Sequence, residues 1–261
     1  MENSLILVET IDETAIVSFN RAEKRNAFNL EMWRILYDIV QICEKDNRIK
    51  VVIFKGIDST SFAAGADISE FKTHRYTAEG ASSYNKIAMA AEHAVRQLSK
   101  PTIALIQGYC VGGGMEIALA CDFRFSDPSG KFGITPAKLG LVYNTPGTKD
   151  LLELVGPSKT KDILFTGRLL DAAESYQIGL IDRIYESNEI DVMTRQYAET
   201  ICINAQMSVR GAKLSIKKIL QGNNEDDEEL SQMILASFES EDYKEGVQAF
   251  LERRKPFFKY S

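Results

Sequence analysis

The chain has 261 residues, of which 44% are hydrophobic and 26% are charged, and this is enough for one or two domains with a buried core. No stretch approaches the roughly 18 consecutive apolar residues of a membrane span, and the N-terminal residues lack the pattern of a secretory signal. We therefore expect a cytoplasmic protein. With 31 Lys and Arg against 37 Asp and Glu, the net charge is −6, which argues against a protein dedicated to nucleic acid.

Strand and helix patterns alternate along the first half of the chain. Two β-rich runs at 5–8 and 15–19 predict a hairpin, and Asn29 is a suitable N-cap for the amphipathic helix that follows it. Pro101 lies just beyond a long helix, which proline cannot continue. In chain order the further predictions are a strand at 51–54, a loop at 59–67, a helix from about 78 to 98, a strand at 102–107, a loop at 108–113, a helix at 114–120 and a strand at 123–126.

The second half of the chain becomes increasingly helical. Helices are predicted at 147–155 and 158–166, another begins at Asp171 as its N-cap, and a last strand covers 181–185. From about residue 189 onward the pattern is that of three or four amphipathic helices. We therefore predict an α/β core over residues 1–188 and a helical C-terminal region over residues 189–261, with no flexible linker between them.

The four cysteines lack the spacing of a metal site or a redox motif. Each lies in a largely apolar stretch, where a free thiol behaves as a small hydrophobic side chain. We therefore predict reduced, buried thiols and no metal site. The cysteines are Cys43, Cys110, Cys121 and Cys202.

Two loops combine small residues with the start of a helical stretch. They cover 62–68 and 108–116, and each follows a predicted strand. Small residues allow a ligand to approach the backbone, and helix N-termini present unpaired N–H groups. If the two loops converge, their amides would form an oxyanion hole. The glycines fit neither a P-loop nor a dinucleotide fingerprint, which leaves tight helix–strand packing as the other explanation.

Glu116 makes the second loop more informative. It lies in the otherwise apolar stretch at 115–121, where a carboxylate is unfavourable unless it has a role. Glu116 is therefore a candidate catalytic acid or base.

These loops resemble those of one family of enzymes. The segments at 63–68, 100–104 and 108–122 are similar to those of the enoyl-CoA hydratase/isomerase (crotonase) superfamily. Further similarities at 19–29, 164–167 and 245–255 follow in the family's order and extend the resemblance over nearly the whole chain. The resemblance implies an α/β, crotonase-like spiral of ββα repeats, with a helical C-terminal region that forms homotrimers or hexamers.

The resemblance also implies an acyl-CoA substrate of the kind used in fatty acid metabolism, with coenzyme A as part of the substrate and no separate cofactor. In this sequence the positions that match the family's oxyanion hole are the backbone amides of Ala66 and Gly113, and Glu116 matches the acid/base. Phe250 and Arg253 match positions that contact the CoA of a neighbouring subunit. The other predicted substrate- or CoA-binding residues are Lys24, Arg25, Ala27, Ala64, Asp67, Ile68, Gly112 and Pro136.

Tyr84, Ile87 and Met89 are candidates for the wall of the acyl pocket. Lys24 and Arg25 are the candidates for the CoA phosphates, with a solvated basic turn as the alternative.

The chain departs from the hydratases of this family at their second catalytic carboxylate. Residues 132–136 resemble the segment before that carboxylate, but Ala137 stands where a glutamate is expected. A general acid–base group contributes roughly 10²–10⁴-fold, so efficient hydration by two glutamates is expected to be lost. Residues 135–144 instead resemble the methylmalonyl-CoA decarboxylase branch, in which Tyr143 would orient a carboxylate or supply a proton. That branch has histidine in place of Ala66.

Three functions therefore remain open. The first is a hydratase- or isomerase-like acyl-CoA enzyme that uses Glu116. The second is an acyl-CoA decarboxylase that uses the same oxyanion hole with Tyr143. The third is a CoA-thioester-binding or scaffold protein without catalysis.

Overall fold

The computed structural model describes residues 4–259, and the described chain begins with the predicted hairpin. Strand β1 (Ile6–Ile11) pairs antiparallel with β2 (Thr14–Phe19). Helix α1 (Leu30–Lys45) follows. The Asn29 side chain accepts a hydrogen bond from the Met32 N–H at 2.8 Å, which confirms the predicted N-cap and satisfies one of the free amides at the start of the helix.

Successive pairs of strands then build two sheets. The first strand of each pair joins a six-stranded sheet and the second joins a four-stranded sheet. The pairs are β3 (Val51–Gly56) with β4 (Ser61–Ala63), β5 (Thr102–Ile106) with β6 (Tyr109–Val111), and β7 (Phe123–Ser126) with β8 (Lys131–Gly133). Helices α2 (Phe71–His74) and α3 (Ala78–Gln97) separate the first two pairs, and α4 (Gly113–Ala120) follows β6. This repetition of two strands and a helix gives the predicted spiral.

The remaining elements complete the sheets and add a helical layer. They are α5 (Thr145–Thr166), β9 (Leu170–Asp171), α6 (Ala172–Gln177), β10 (Arg183–Ile184), α7 (Ile190–Cys202), α8 (Gln206–Leu220), α9 (Glu228–Glu239) and α10 (Glu241–Glu252). The strand orders are β1-β2-β3-β5-β7-β10 and β4-β6-β8-β9. Because β4, β6 and β8 are parallel neighbours, their carboxyl ends lie along one edge of the smaller sheet, and both small-residue loops leave from that edge.

Alternate residues of the larger sheet face two different cores, as the two-residue period of a strand requires. Val52 and Phe54 of β3 belong to the main core, with α1, α3 and α4. Val51 and Ile53 pack on the other face against α7, which contributes Ile190 to this second core. The contacts of α7 therefore cross the predicted boundary at residue 188, and the division into two regions stays a prediction.

The structure differs from the sequence predictions at element boundaries. Strands β4 and β6 lie inside the stretches predicted as loops at 59–67 and 108–113, because three residues are too few to show a strand's alternation. The two helices predicted at 147–155 and 158–166 are confirmed as the two arms of α5, which breaks at Gly156, whose φ of 73° is not helical. All four cysteines are free and buried, as predicted. Within residues 4–259, no helix has both the length and the apolarity to cross a bilayer.

Candidate active site

The two small-residue loops lie side by side at the edge of the smaller sheet. A Cβ atom on Gly113 would lie 3.8 Å from the backbone nitrogen of Ala66, and a Cβ atom on Gly65 would lie 3.9 Å from the nitrogen of Gly113. The loops approach each other because β4 and β6, which lead into them, are parallel neighbours. The convergence that the sequence analysis required is therefore present.

The backbone amides of Ala66 and Gly113 are both available to a ligand. Phe28 donates its N–H to the Gly65 carbonyl and accepts from the Asp67 N–H, both at 2.8 Å. These two bonds flank Ala66 and leave its own N–H on the opposite side of the chain. Gly113 is the first residue of α4, where an N–H has no partner within the helix. Neither amide has an acceptor within residues 4–259.

Glycine is required in the second loop for packing as well as for access. A Cβ atom on Gly113 would lie 2.9 Å from Cζ2 of Trp33, and one on Gly114 would collide with the Ala63 carbonyl. The Trp33 ring is held in turn by Tyr84, whose hydroxyl accepts from its Nε1 at 3.2 Å. Tight helix–strand packing and ligand access are therefore not alternatives here. Gly114 allows the tight packing, and Gly113 allows both the packing and the access of a ligand.

A cavity of about 280 Å³ opens beside the two amides. Its walls come from the two loops, from one face of α3 and from the segment that connects β8 to α5. The predicted site residues that line it are Ala64, Ala66, Ile68, Gly112, Gly113, Glu116, Pro136 and Tyr143. Tyr84 and Met89 also line this cavity, whereas Ile87 packs against the main core. Ala137 is exposed and is not part of the lining.

The predicted CoA-binding residues near the N-terminus lie outside the cavity lining but next to the first loop. The carbonyl of Arg25 accepts from the Ala64 N–H at 3.0 Å, and the side chains of Lys24 and Arg25 are exposed. Ala27 is half-buried, and its carbonyl accepts from the guanidinium of Arg21. Arg21 also forms a 2.7 Å ion pair with Asp67. The Asp67 carboxylate therefore fixes the loop to the N-terminal segment.

Phe250 and Arg253 lie at the end of α10, outside the cavity described above. The side chain of Phe250 is 83% exposed. It lines a different cavity of about 460 Å³ among α8, α9 and α10, which shares no lining residue with the first. Arg253 is the exposed C-cap of α10. Their contact with the CoA of a neighbouring subunit stays a prediction.

Glu116 projects into the cavity from the first turn of α4, and Asn144 fixes its orientation. The Asn144 Oδ1 caps α5 by accepting from the Gly147 N–H at 2.7 Å. The NH2 group of the Asn144 side chain is therefore the part that faces the cavity. Its Nδ2 donates to Oε1 of Glu116 at 2.7 Å. This bond holds one oxygen of Glu116 in place, and the second oxygen stays available to other groups.

The hydroxyl of Tyr143 is buried beside Glu116 without a hydrogen-bond partner in residues 4–259. Burial, and then the negative charge of Glu116, raises the pKa of Tyr143 well above its ordinary value. The hydroxyl therefore stays protonated and can donate a hydrogen bond to a ligand in the cavity. A Cβ atom on Gly147 would lie 2.5 Å from this hydroxyl, so a glycine is needed for the ring to take this position.

Glu92 is a second carboxyl group in the cavity, and the sequence analysis missed it. It lies on α3, is only 5% exposed, and is within hydrogen-bonding reach of Glu116. Burial, and then the charge of Glu116, raises the pKa of Glu92 to about 9. The signal was present in the sequence, because Glu92 follows Tyr84 and Ala88 at helical spacing on a face that is mostly apolar. Glu116 stands out in the sequence for the same reason.

The raised pKa of Glu92 predicts how stability depends on pH. Between its ordinary pKa of 4.5 and its folded value of about 9, the folded protein holds this proton and the unfolded chain does not. Stability should therefore fall as pH rises through this window. Glu92→Gln should flatten the decline, as measured by thermal unfolding across the same range. The exposed Glu79→Gln on the same helix is the control, and parallel curves for all three proteins would contradict the prediction.

Comparison with known proteins identifies the family. The family model described as enoyl-CoA hydratase/isomerase matches residues 9–261. The chain is 32% identical to the short-chain-enoyl-CoA hydratase of Clostridium acetobutylicum, over 98% of this chain and 97% of that one. It is 31% identical to the crotonyl-CoA hydratase of Syntrophomonas wolfei, over 97% of each chain. The crystal structure of an enoyl-CoA hydratase/isomerase family protein from Hyphomonas neptunium matches with a TM-score of 0.95 and 39% identity, covering 99% of this chain and 98% of that one.

The chain therefore belongs to the enoyl-CoA hydratase/isomerase family. The family and the fold class predicted from the sequence are both confirmed, and the chain is an enzyme of this acyl-CoA-processing family. The structure itself brings together Ala66, Gly113, Glu116 and Tyr143 in one cavity. Within residues 4–259, no group of three or more His, Cys, Asp or Glu side chains is arranged to hold a metal ion.

Proposed function

We propose that the protein converts acyl-CoA thioesters through an enolate held by the backbone amides of Ala66 and Gly113, with Glu116 as the acid/base. The observation that carries this proposal is that one oriented carboxylate and two N–H groups without acceptors in the described part of the chain line the same cavity. The relatives named as enoyl-CoA hydratases support an enoyl-CoA as the substrate.

The two amides supply what an enolate requires. When water adds to the β-carbon of an enoyl thioester, or a proton is removed from the α-carbon, negative charge builds on the thioester oxygen. Two donors fixed by the fold stabilise this charge without having to reorganise, and removing one such donor typically costs about 10²–10³-fold in rate. Glu116, held by Asn144, is placed to take or return the proton.

The CoA part of the substrate is expected to lie along the N-terminal segment. Lys24 and Arg25 supply exposed positive charge next to the first loop, and the backbone of Arg25 is bonded to Ala64. These side chains would contact the phosphates. In a homotrimer or hexamer, the exposed Phe250 and Arg253 would contact the CoA of a neighbouring subunit.

One observation favours acyl-CoA decarboxylation as a second candidate. The buried Tyr143 hydroxyl has no partner in residues 4–259 and keeps its proton, so it can donate to the carboxylate of a malonyl-type thioester. Decarboxylation produces the same enolate and needs the same two amides, but it does not need a base. Ala66 cannot supply the side-chain polar group that histidine provides in the branch that this segment resembles.

A comparison of two substrates separates the candidate functions. The purified protein would be given crotonyl-CoA, with loss of the conjugated thioester absorbance as the readout, and methylmalonyl-CoA, with release of carbon dioxide as the readout. Hydration that persists in Tyr143→Phe supports the enoyl-CoA reaction. Carbon dioxide release that falls in Tyr143→Phe supports decarboxylation. Binding of both thioesters without turnover would leave the binding-protein hypothesis, and no binding of CoA thioesters would exclude all three.

A further inference from the structure

We propose that Glu92 is a catalytic residue that forms the acid–base pair with Glu116, in place of the family carboxylate missing at Ala137. The inference rests on the proposed enoyl-CoA reaction and adds a residue from a different part of the chain. It reverses the expectation that hydration by two carboxyl groups is lost.

The position of Glu92 follows from the geometry of α3. The side of this helix that lines the cavity repeats every three or four residues, as one face of a helix must. The face consists of Ala81, Tyr84, Asn85, Ala88, Met89 and Glu92. Helix α3 packs against α4, so the last residue of this face meets Glu116, which projects from α4. The two carboxyl groups therefore reach one cavity from two helices.

The pair holds one proton under neutral conditions. Two carboxylates within hydrogen-bonding reach of each other cannot both be ionised at low energetic cost, and one of them keeps a proton. Asn144 donates a hydrogen bond to Oε1 of Glu116 and so compensates this carboxyl group for part of its lost hydration. Glu92 is the more deeply buried carboxyl, and ionisation would cost it more hydration. The proton therefore resides on Glu92 and the charge on Glu116.

The neighbouring charged groups do not alter this assignment. Arg96, one turn further along α3, forms an ion pair with Asp150 of α5, with a second contact of 3.0 Å between Nε and the same carboxylate oxygen. Its charge is thereby largely offset. Tyr143 contributes a neutral hydroxyl without a partner in residues 4–259. Glu92 has no ion pair of its own within residues 4–259, so a purely structural role would be served as well by glutamine.

This arrangement supplies both proton transfers of hydration. The oxygen of water bonds to the β-carbon while one of its O–H bonds breaks, and that proton passes to Glu116. The electron pair of the C=C bond moves toward the thioester, and the proton of Glu92 forms the new C–H bond at the α-carbon. The pair begins and ends with one proton. Transfer across the hydrogen bond between the two carboxyl groups restores the starting state.

Replacing Glu92 in two ways tests its role. Glu92→Gln keeps the size and the hydrogen bond but cannot release a proton, so crotonyl-CoA hydration should fall about 10²-fold or more. Glu92→Asp shortens the side chain but keeps an acid, and it should retain more activity than the glutamine variant. A structural role predicts the opposite order. Glu79→Gln, an exposed change on the same helix, should leave the rate unchanged.

The pH profile gives a second readout. In the unmodified protein the hydration rate should fall at alkaline pH as the pair loses its proton, and Glu92→Gln should lack this decline. If either variant fails to fold, infrared spectroscopy of the unmodified protein at neutral pH provides the test. The carbonyl band of a protonated carboxylic acid should be present and should disappear on alkaline titration. Absence of this band would overturn the proposal.

The outcomes also separate this inference from the proposed function. If Glu116→Gln abolishes hydration while Glu92→Gln leaves the rate and the pH profile unchanged, the proposed function stands and the role of Glu92 is refuted. If the unmodified protein does not hydrate crotonyl-CoA at all, the enoyl-CoA reaction fails and the inference fails with it.

Discussion

Glu116→Gln is expected to reduce the rate of crotonyl-CoA hydration by about 10²–10⁴-fold, the usual contribution of a general acid–base group. Glutamine is the same size and can still bond to Asn144 after its amide turns, but it cannot take a proton from water. The loss should therefore appear in kcat, with little change in KM. Steady-state kinetics on the purified variant provide the measurement.

The control for this variant is Glu31→Gln. Glu31 is also a glutamate in the first turn of a helix, but it is exposed on α1. It should retain full activity. Retention of more than a tenth of the activity by Glu116→Gln would show that another group moves the proton, and Glu116 would then have only a positioning role.

Gly113→Ala should have the second large effect, a loss of about 10²–10³ in kcat, which is typical for one donor of an oxyanion hole. The added methyl group would lie 2.9 Å from Trp33 and 3.8 Å from the Ala66 nitrogen. Either the Trp33 ring or the Gly113 backbone must therefore shift, and the methyl group would lie in contact with the Ala66 amide. Activity and thermal unfolding should be measured together.

Gly211→Ala in α8 is the matched control. A Cβ atom there would meet Met233 at an ordinary contact distance of 3.7 Å, and alanine in a helix is favoured over glycine by roughly 0.5–1 kcal/mol. This variant should be fully active and no less stable. If Gly113→Ala is folded and as active as Gly211→Ala, the Gly113 amide does not bind the thioester oxygen.

From the sequence alone, site residues could be predicted where a residue type is unfavourable for its surroundings. Glu116 could be recognised because a carboxylate stands in an apolar helix start, and the two loops because small residues follow strands. The same reasoning applied to α3 would have identified Glu92. What the sequence could not show is that Glu92 and Glu116 meet, because their contact depends on how α3 packs against α4 across 23 intervening residues.

Other features of the site depend on three-dimensional pairing. The convergence of the loops follows from the parallel pairing of β4 with β6, and strands of three residues leave too little pattern to be predicted. Asn144 presents its Nδ2 to Glu116 because its Oδ1 caps α5. The residues expected to bind CoA came from family resemblance rather than from physical pattern, and their contacts require a ligand or a neighbouring subunit.

The role of the two amides can be tested most directly by a crystal structure with an unreactive thioester analogue of crotonyl-CoA. The thioester oxygen should lie within about 2.7–3.1 Å of the backbone nitrogens of both Ala66 and Gly113, with Glu116 beside the acyl carbons. An analogue bound with that oxygen directed to solvent, or to a different donor, would contradict the mechanism even if the protein hydrates crotonyl-CoA.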